Sequence, residues 1–131
     1  MALRVESRGE THQGLAVGVD RKHLKRLQAG AIPAQWELDL HGLSAKEARI
    51  DLQRTLVAAH AEGVRCVLVI HGRGSHSELG PVLKKELPAW LDAPPLGRLV
   101  MAFASARSQD GGSGASYVLL RRRRSGGQGL G

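Results

Sequence analysis

The chain contains little cysteine, few aromatic residues and no long apolar segment. Its single cysteine, Cys66, excludes an internal disulfide, and because it lies within an apolar run we interpret it as a small buried hydrophobe. No segment reaches the roughly 20 apolar residues of a membrane span, and residues 1–20 lack the apolar core of a secretory signal. We therefore expect a cytoplasmic protein whose 131 residues form one globular domain with flanking tails.

Aromatic side chains are confined to Trp36, Trp90, Phe103 and Tyr117. Both tryptophans fall on positions predicted to face the core, so the sequence offers no platform on which the bases of a nucleic acid would stack. Any binding of nucleic acid would then depend on phosphate contacts and show weak sequence preference.

Positive charge is concentrated at the two ends of the chain. Residues 36–120 carry nine basic and nine acidic side chains, whereas residues 1–35 carry six against three and residues 121–131 carry four against none. Basic flanks can lie along a polyanion and release its counterions, so we expect a nucleic-acid partner; a solvated basic tail is the alternative. The basic residues expected to contact nucleic acid are Arg21, Lys22, Lys25, Arg26, Arg121, Arg122, Arg123 and Arg124.

Four segments of the middle and end of the chain have the pattern of β-strands. Residues 36–41 alternate apolar and polar side chains, which is the period of a strand with one buried face. The run 64–70 is apolar and β-branched with little alternation, which is typical of a central strand covered on both faces. Residues 99–106 and 115–122 complete the set and are joined by a glycine-rich loop.

Two helices are predicted between these strands. Ser44 and Glu47 have the spacing of a capping box and Gly63 supplies a left-handed stop, so the first helix extends between them. The second helix begins near Pro81 and meets Pro88, where we expect a kink or a separate short helix as far as Asp92.

The element order β-α-β-α-β-β predicts an α/β fold. Right-handed crossovers make the first two strands parallel, and if the chain advances in one direction across the sheet both helices cover the same face. The result is a two-layer sandwich with a four-stranded mixed sheet, into which the last strand inserts antiparallel. We divide the chain into a basic, partly flexible leader (1–35), the folded domain (36–124) and a disordered glycine-rich tail (125–131), and the apolar second strand indicates that the leader or another subunit covers the free face.

Two predicted strands end in the same dipeptide, His41-Gly42 and His71-Gly72. Because parallel strands end at the same edge of a sheet, where ligands of open α/β sheets bind, we expect both imidazoles at one edge and close together. Asp39 lies two residues before His41 and can orient its ring. We interpret His41 as a general acid or base, since histidine titrates near neutral pH. His71 is either its complement or a residue that only fixes the loop.

Glycine-rich loops follow this edge. Gly72 and Gly74 permit backbone amides to approach a phosphate closely, and Arg73 between them is a bidentate phosphate donor. A second loop carries Gly111, Gly112 and Gly114, which either line a substrate groove or form an ordinary flexible connection.

The segments "LDLHG", "VIHGRG", "LPAWL" and "AFASARSQDGGSGASYVLLRR" together resemble the Smr (small MutS-related) domain, most closely its short stand-alone bacterial members. The resemblance covers roughly residues 18–124. It implies a βαβαββ sandwich similar to the C-terminal domain of translation initiation factor 3. It also implies endonuclease activity, by nicking or cutting DNA or RNA, in ribosome rescue or DNA repair. The family's DLH motif falls on residues 39–41 and its HGxG motif on residues 71–74.

These observations favour a role as a nucleic-acid endonuclease, that is, a phosphodiester hydrolase. The alternative is a non-catalytic module that binds nucleic acid or the ribosome. We expect no obligatory cofactor, because one carboxylate, Asp39, is a poor ligand set for Mg²⁺, although a divalent metal stays an open alternative. Without a metal RNA is the easier substrate, because its own 2′-hydroxyl serves as the nucleophile.

Overall fold

The computed structural model describes residues 2–72 and 82–123, which form six strands and three α-helices. The elements in chain order are β1 (Leu3–Arg8), β2 (Thr11–Ala16), α1 (Arg21–Gln28), β3 (Trp36–Asp39), α2 (Ala45–Ala61), β4 (Cys66–Ile70), α3 (Val82–Asp92), β5 (Val100–Ser105) and β6 (Ala115–Leu120). Short 3₁₀ turns lie at residues 96–98, 108–110 and 112–114. Among these helices, none combines the length and the apolar character that crossing a membrane requires.

The strands form one mixed sheet in the order β1-β2-β5-β6-β4-β3. Strands β3 and β4 are parallel, and β6 inserts antiparallel between β4 and β5, as the element order predicts. The predicted four-stranded sheet is extended to six strands, because residues 3–16 form a hairpin whose second strand pairs with β5.

The hairpin had no clear pattern in the sequence. The side chains of β2 that face the core are His12, Gly14 and Ala16, a polar residue and two small ones, so the apolar alternation of a half-buried strand is absent. Gly14 is needed there because an added Cβ would lie 2.2 Å from Cε1 of Phe103. Residues 3–28, assigned above to a basic leader, thus contribute two strands and a helix to the domain.

Helices cover both faces of the sheet, which makes three layers. Helices α2 and α3 pack on one face, as predicted, around a core that includes Leu52, Leu87 and Phe103. Helix α1 covers the opposite face, where Leu24 and Leu27 are buried with alanines of the sheet and with Cys66 and Tyr117. The N-terminal segment is therefore the cover that the apolar β4 required.

The ends of α2 follow their predicted signals. The Ser44 side chain accepts a hydrogen bond from the Glu47 amide and the Glu47 carboxylate accepts one from the Ser44 amide, at 3.1 and 3.0 Å. Gly63 ends the helix with a positive φ of 81°. Helix α3 runs through Pro88 to Asp92 as a single helix, so the alternative of a separate short helix is wrong. Leu87 and Leu91 are buried on either side of the proline, and this packing holds the helix together across the missing hydrogen bond.

A candidate proton-transfer site at the sheet edge

The two His-Gly pairs lie beside each other at one edge of the sheet. Asp39 of β3 is in register with Ile70 of β4, and the Leu40 amide donates to the Ile70 carbonyl at 2.7 Å, so both strands end together. An added Cβ on Gly72 would lie 3.6 Å from the Cβ of His41. Gly72 also has a positive φ of 81°, a conformation that favours glycine.

Asp39 and His41 form an exposed hydrogen-bonded pair. The Oδ1 of Asp39 accepts from Nδ1 of His41 at 2.5 Å and from the His41 amide at 3.0 Å. Partial burial raises the pKa of Asp39, but the hydrogen bonds from the His41 ring and amide outweigh it and the net pKa is lowered. Because an ionised carboxylate only accepts, Nδ1 carries a proton in this pair, which leaves Nε2 of neutral His41 as a base.

The Asp39–His41 pair is accessible to solvent, as a site that binds a substrate must be. The side chains of His41 and Asp39 are 67% and 50% exposed. No hydrogen bond among residues 2–72 and 82–123 involves Nε2 of His41, whose ring is bonded through Nδ1 alone. The pair therefore presents one imidazole nitrogen, held in a fixed tautomer, next to the backbone of Gly72.

His71 has a different environment from His41, with 5% of its surface exposed. Its Nδ1 donates to the Gly72 carbonyl at 2.9 Å, and its Nε2 lies 3.0 Å from the Ser116 hydroxyl. Burial lowers the pKa of His71, the bond to Gly72 raises it and the positive charge of Lys84 lowers it, so the net pKa is below its usual value. The ring is thus neutral near pH 7, and Nε2 accepts the Ser116 proton. Both nitrogens of His71 are engaged inside the protein.

His12 belongs to the same buried group as His71 and Ser116. Its Nε2 lies 2.7 Å from the Ser116 hydroxyl, which is already a donor to His71, so the His12 nitrogen donates. The ring packs edge-on against Phe103 with centroids 5.1 Å apart. Burial lowers the pKa of His12 to about 4, with smaller contributions in the same direction from the neighbouring His71 ring, which also protonates in acid, and from the positive charge of Lys84. No local signal predicts this pairing, because His12 and Ser116 are 104 positions apart.

The loop with Gly111, Gly112 and Gly114 is attached to the same edge. The Gly114 carbonyl accepts from the amides of His71 and Gly72 at 3.0 and 2.9 Å. Gly111 has a φ of 116°, and an added Cβ there would lie 2.9 Å from the Ala115 Cβ. Gly114 therefore holds the loop against the backbone of His71 and Gly72, and a groove lined by Gly111 and Gly112 stays a prediction.

The predicted basic residues do not gather around the Asp39–His41 pair. Arg121, Arg122 and Arg123 are exposed, but the Leu120 amide donates to the Arg65 carbonyl, which places them at the opposite end of β4. The five residues of β4 separate these arginines from the Asp39–His41 pair by about 16 Å. The four basic residues of α1 are exposed on the face opposite α2 and α3; they are Arg21, Lys22, Lys25 and Arg26. Arg73, Gly74 and Arg124 lie outside the described residues.

A metal centre has limited support from the described side chains. Within residues 2–72 and 82–123, no group of three or more His, Cys, Asp or Glu side chains is arranged to hold an ion. Asp39 and His41 would offer one carboxylate and one imidazole, fewer oxygen ligands than Mg²⁺ prefers.

The family is identified by a sequence match. The Smr domain family model matches residues 38–121, which include Asp39, His41, His71 and Ser116. The chain belongs to the Smr domain family. A solved structure of a stand-alone small MutS-related protein, YdaL from Escherichia coli, is similar to it, with a TM-score of 0.70, 31% identity and coverage of 84% of this chain and 82% of that one.

Other proteins are similar to this chain over part of its length. The Smr domain of Thermus thermophilus MutS2 superposes with a TM-score of 0.55 at 30% identity and covers 65% of this chain and 96% of that one. The ribosome rescue factor SmrB of Photobacterium profundum is 39% identical over 103 residues, and that of Escherichia coli O157:H7 is 38% identical. These matches cover 79% of this chain but 54% and 52% of the relatives, so the chain spans about half their length.

Proposed function

We propose that this Smr domain is an endonuclease that cleaves the phosphodiester backbone of RNA, with His41 as its proton-transfer group. The observation that carries the proposal is the exposed Asp39–His41 pair against Gly72. A fixed, solvent-accessible imidazole beside a backbone that can approach a phosphate is the minimum that general-base catalysis needs.

In the proposed step, Nε2 of His41 removes the proton from a ribose 2′-hydroxyl. The 2′-oxygen bonds to phosphorus, the bond from phosphorus to the 5′-oxygen breaks, and the departing oxygen takes a proton from solvent. The products are a 2′,3′-cyclic phosphate and a 5′-hydroxyl. Asp39 keeps the Nδ1 proton in place and stabilises the imidazolium that forms, which is the role of a carboxylate behind a catalytic histidine.

His71 is assigned to positioning in this proposal. Both of its nitrogens are hydrogen-bonded within the protein, to Gly72 and Ser116, so neither is available to a substrate. Its bonds instead hold Gly72 against His41. Arg73, which lies between the two glycines of the HGxG motif, is proposed to bind the phosphate.

The proposed setting is RNA at the ribosome, in the cytoplasm. Two considerations support it: relatives at 37–39% identity are named ribosome rescue factors, and RNA supplies its own nucleophile. DNA would require an activated water molecule, and no group of three or more His, Cys, Asp or Glu among the described residues is arranged to hold a metal ion that would activate it.

A non-catalytic module that binds nucleic acid is the second candidate. It is favoured by the burial of His71, which leaves one proton-transfer group rather than two at the edge. In that case the edge would bind a phosphate without cleaving the strand.

A cleavage assay separates the two candidates. End-labelled RNA is incubated with the wild type, with His41→Ala and with His60→Ala, a control histidine on α2 away from the edge. The nuclease proposal expects loss of cleavage by His41→Ala of about 100-fold or more, because general catalysis contributes roughly 10²–10⁴, with unchanged affinity for RNA. His60→Ala should cleave like the wild type. Wild-type protein that binds RNA without cutting it would establish the binding module instead.

The chemistry of the products gives an independent test. We expect 2′,3′-cyclic phosphate ends, no cleavage at a single 2′-deoxy position, and undiminished activity in the presence of a chelator. Activity that a chelator removes, together with cleavage at the 2′-deoxy position, would replace the ribose mechanism with a metal-bound water.

A further inference from the structure

A cationic cleft lies at the edge of the sheet opposite His41. Helix α1 and the ends of β5 and β6 enclose a cleft of about 450 Å³, within the size range of small-ligand sites. Four arginines from distant parts of the sequence line it, namely Arg26, Arg65, Arg121 and Arg122. None of its lining residues is acidic.

Arg65 is the most constrained of these arginines. It is partly buried, its Nε donates to the Leu120 carbonyl at 2.8 Å, and its Nη2 lies 3.8 Å from the sulfur of Met101. Burial lowers the pKa of Arg65, and the neighbouring charge of Arg122 lowers it further. No carboxylate lies within salt-bridge distance of Arg65 in the part of the chain that the structure describes.

The positive charges of Arg65 and Arg122 lie close together, and their repulsion destabilises the folded protein. A partly desolvated guanidinium held by neutral groups, with a second guanidinium beside it, is stabilised when an anion binds between them. The floor of the cleft is apolar, since Ile32, Met101 and Leu119 line it. Such a floor excludes water and strengthens the attraction for a phosphate.

We infer that the cleft formed by Arg26, Arg65, Arg121 and Arg122 binds a backbone phosphate of a nucleic-acid strand at a distance from the reacting bond. The inference uses the proposed function only to choose nucleic acid as the ligand, since the charge of the cleft is a separate observation. From Arg65 to His71 the chain advances six residues along β4, or about 20 Å. A duplex strand covers that distance in about six phosphate steps.

The distance between the cleft and His41 predicts an effect that depends on the length of the RNA. An RNA of about 20 nucleotides reaches both edges of the sheet, whereas a tetranucleotide at His41 does not reach the arginine cleft. Removing a cleft charge should therefore weaken binding of the long RNA and leave the short one unaffected.

The test uses uncleavable 2′-O-methyl RNAs of these two lengths, with affinity measured by fluorescence anisotropy at several salt concentrations. Arg122 is exposed, so Arg122→Gln should fold normally. We expect it to bind the long RNA about tenfold more weakly, with a salt dependence reduced by roughly 0.7 in slope. Arg122→Lys should keep most of the affinity, and Arg54→Gln, the same charge change on α2, should behave like the wild type. Equal effects of Arg122→Gln and Arg54→Gln would overturn the inference.

Met101 provides a local readout. The chain has two methionines, Met1 and Met101, so methyl-labelled protein gives one signal from the cleft floor, assigned with Met101→Leu. Titration with the long RNA should shift that signal, and an unchanged Met101 signal at saturation would also overturn the inference. Binding is measured without cleavage, so these results hold even where the cleavage assay shows no nuclease. Conversely, His41-dependent cleavage with no effect of Arg122→Gln on binding would support the nuclease proposal and refute the phosphate-binding role of the cleft.

Discussion

Acid should destabilise this protein well above the pH at which carboxylates titrate, because the fold requires a neutral His12. The ring is buried, donates to Ser116 and packs on Phe103, and its pKa falls from 6.5 to about 4. Between these values the unfolded chain binds a proton that the native state does not. The free energy of unfolding therefore falls as pH is lowered from about 6.5 to about 4 and is unaffected by this group above that window.

The size of the effect follows from the shift. Each pKa unit corresponds to about 1.4 kcal/mol, so a shift from 6.5 to about 4 amounts to about 3 kcal/mol of lost stability at pH 4. His71, whose pKa is also lowered, adds to the loss in the same direction. Against a typical domain stability of about 5–15 kcal/mol, this loss is large.

Urea denaturation at half-unit steps from pH 7.5 to pH 4 measures the effect. Wild type should lose stability progressively below pH 6.5, and His12→Gln should show a shallower slope, by up to about 1.4 kcal/mol per pH unit. His60→Gln is the matched control and should retain the wild-type slope. A His12 ring that titrates near pH 6.5 by NMR, or identical slopes for His12→Gln and wild type, would refute the reasoning.

Three further predictions follow from the same geometry. Asp39→Asn should retain RNA affinity but slow cleavage by about 100-fold or more, because the amide no longer stabilises an imidazolium; a single-turnover rate near wild type would contradict this. Ser116→Ala leaves the buried donor of His12 without a partner, so urea denaturation should show a loss of about 1–3 kcal/mol, and a neutral result would contradict the hydrogen-bond assignment. Gly111→Ala places a side chain at a φ of 116° and 2.9 Å from the Ala115 Cβ, so it should lower the free energy of unfolding by more than about 1–2 kcal/mol. Gly9→Ala, whose added Cβ meets no atom within 4 Å, should lower it less. Equal urea midpoints for the two variants would count against the loop geometry.

Short-range sequence signals correctly predicted the ends of α2 and the pairing of β3 with β4. The Ser44 and Glu47 capping box and the left-handed Gly63 fixed both ends of α2 because each acts within a few residues. The parallel pairing of β3 and β4 followed from the handedness of crossovers, and it placed Asp39 and His41 beside Gly72.

The features that the sequence did not predict depend on contacts between distant segments. Strand β2 presents His12 and Gly14 to the core, and their fit is understood only when Ser116 and Phe103 are in place. The burial of His71 has the same origin, since its partner Ser116 comes from the last strand. The arginine cleft likewise arises because β6 runs antiparallel to β4 and brings Arg122 beside Arg65.

Chemical rescue tests the central claim, that the imidazole of His41 transfers the proton during RNA cleavage, most directly. His41→Gly removes the ring and opens space for free imidazole next to Asp39. The measurement is the single-turnover cleavage rate of His41→Gly with and without added imidazole, alongside the wild type. The account predicts an inactive variant whose cleavage returns with imidazole at the wild-type position on the RNA; cleavage by His41→Gly at the wild-type rate without imidazole would contradict it.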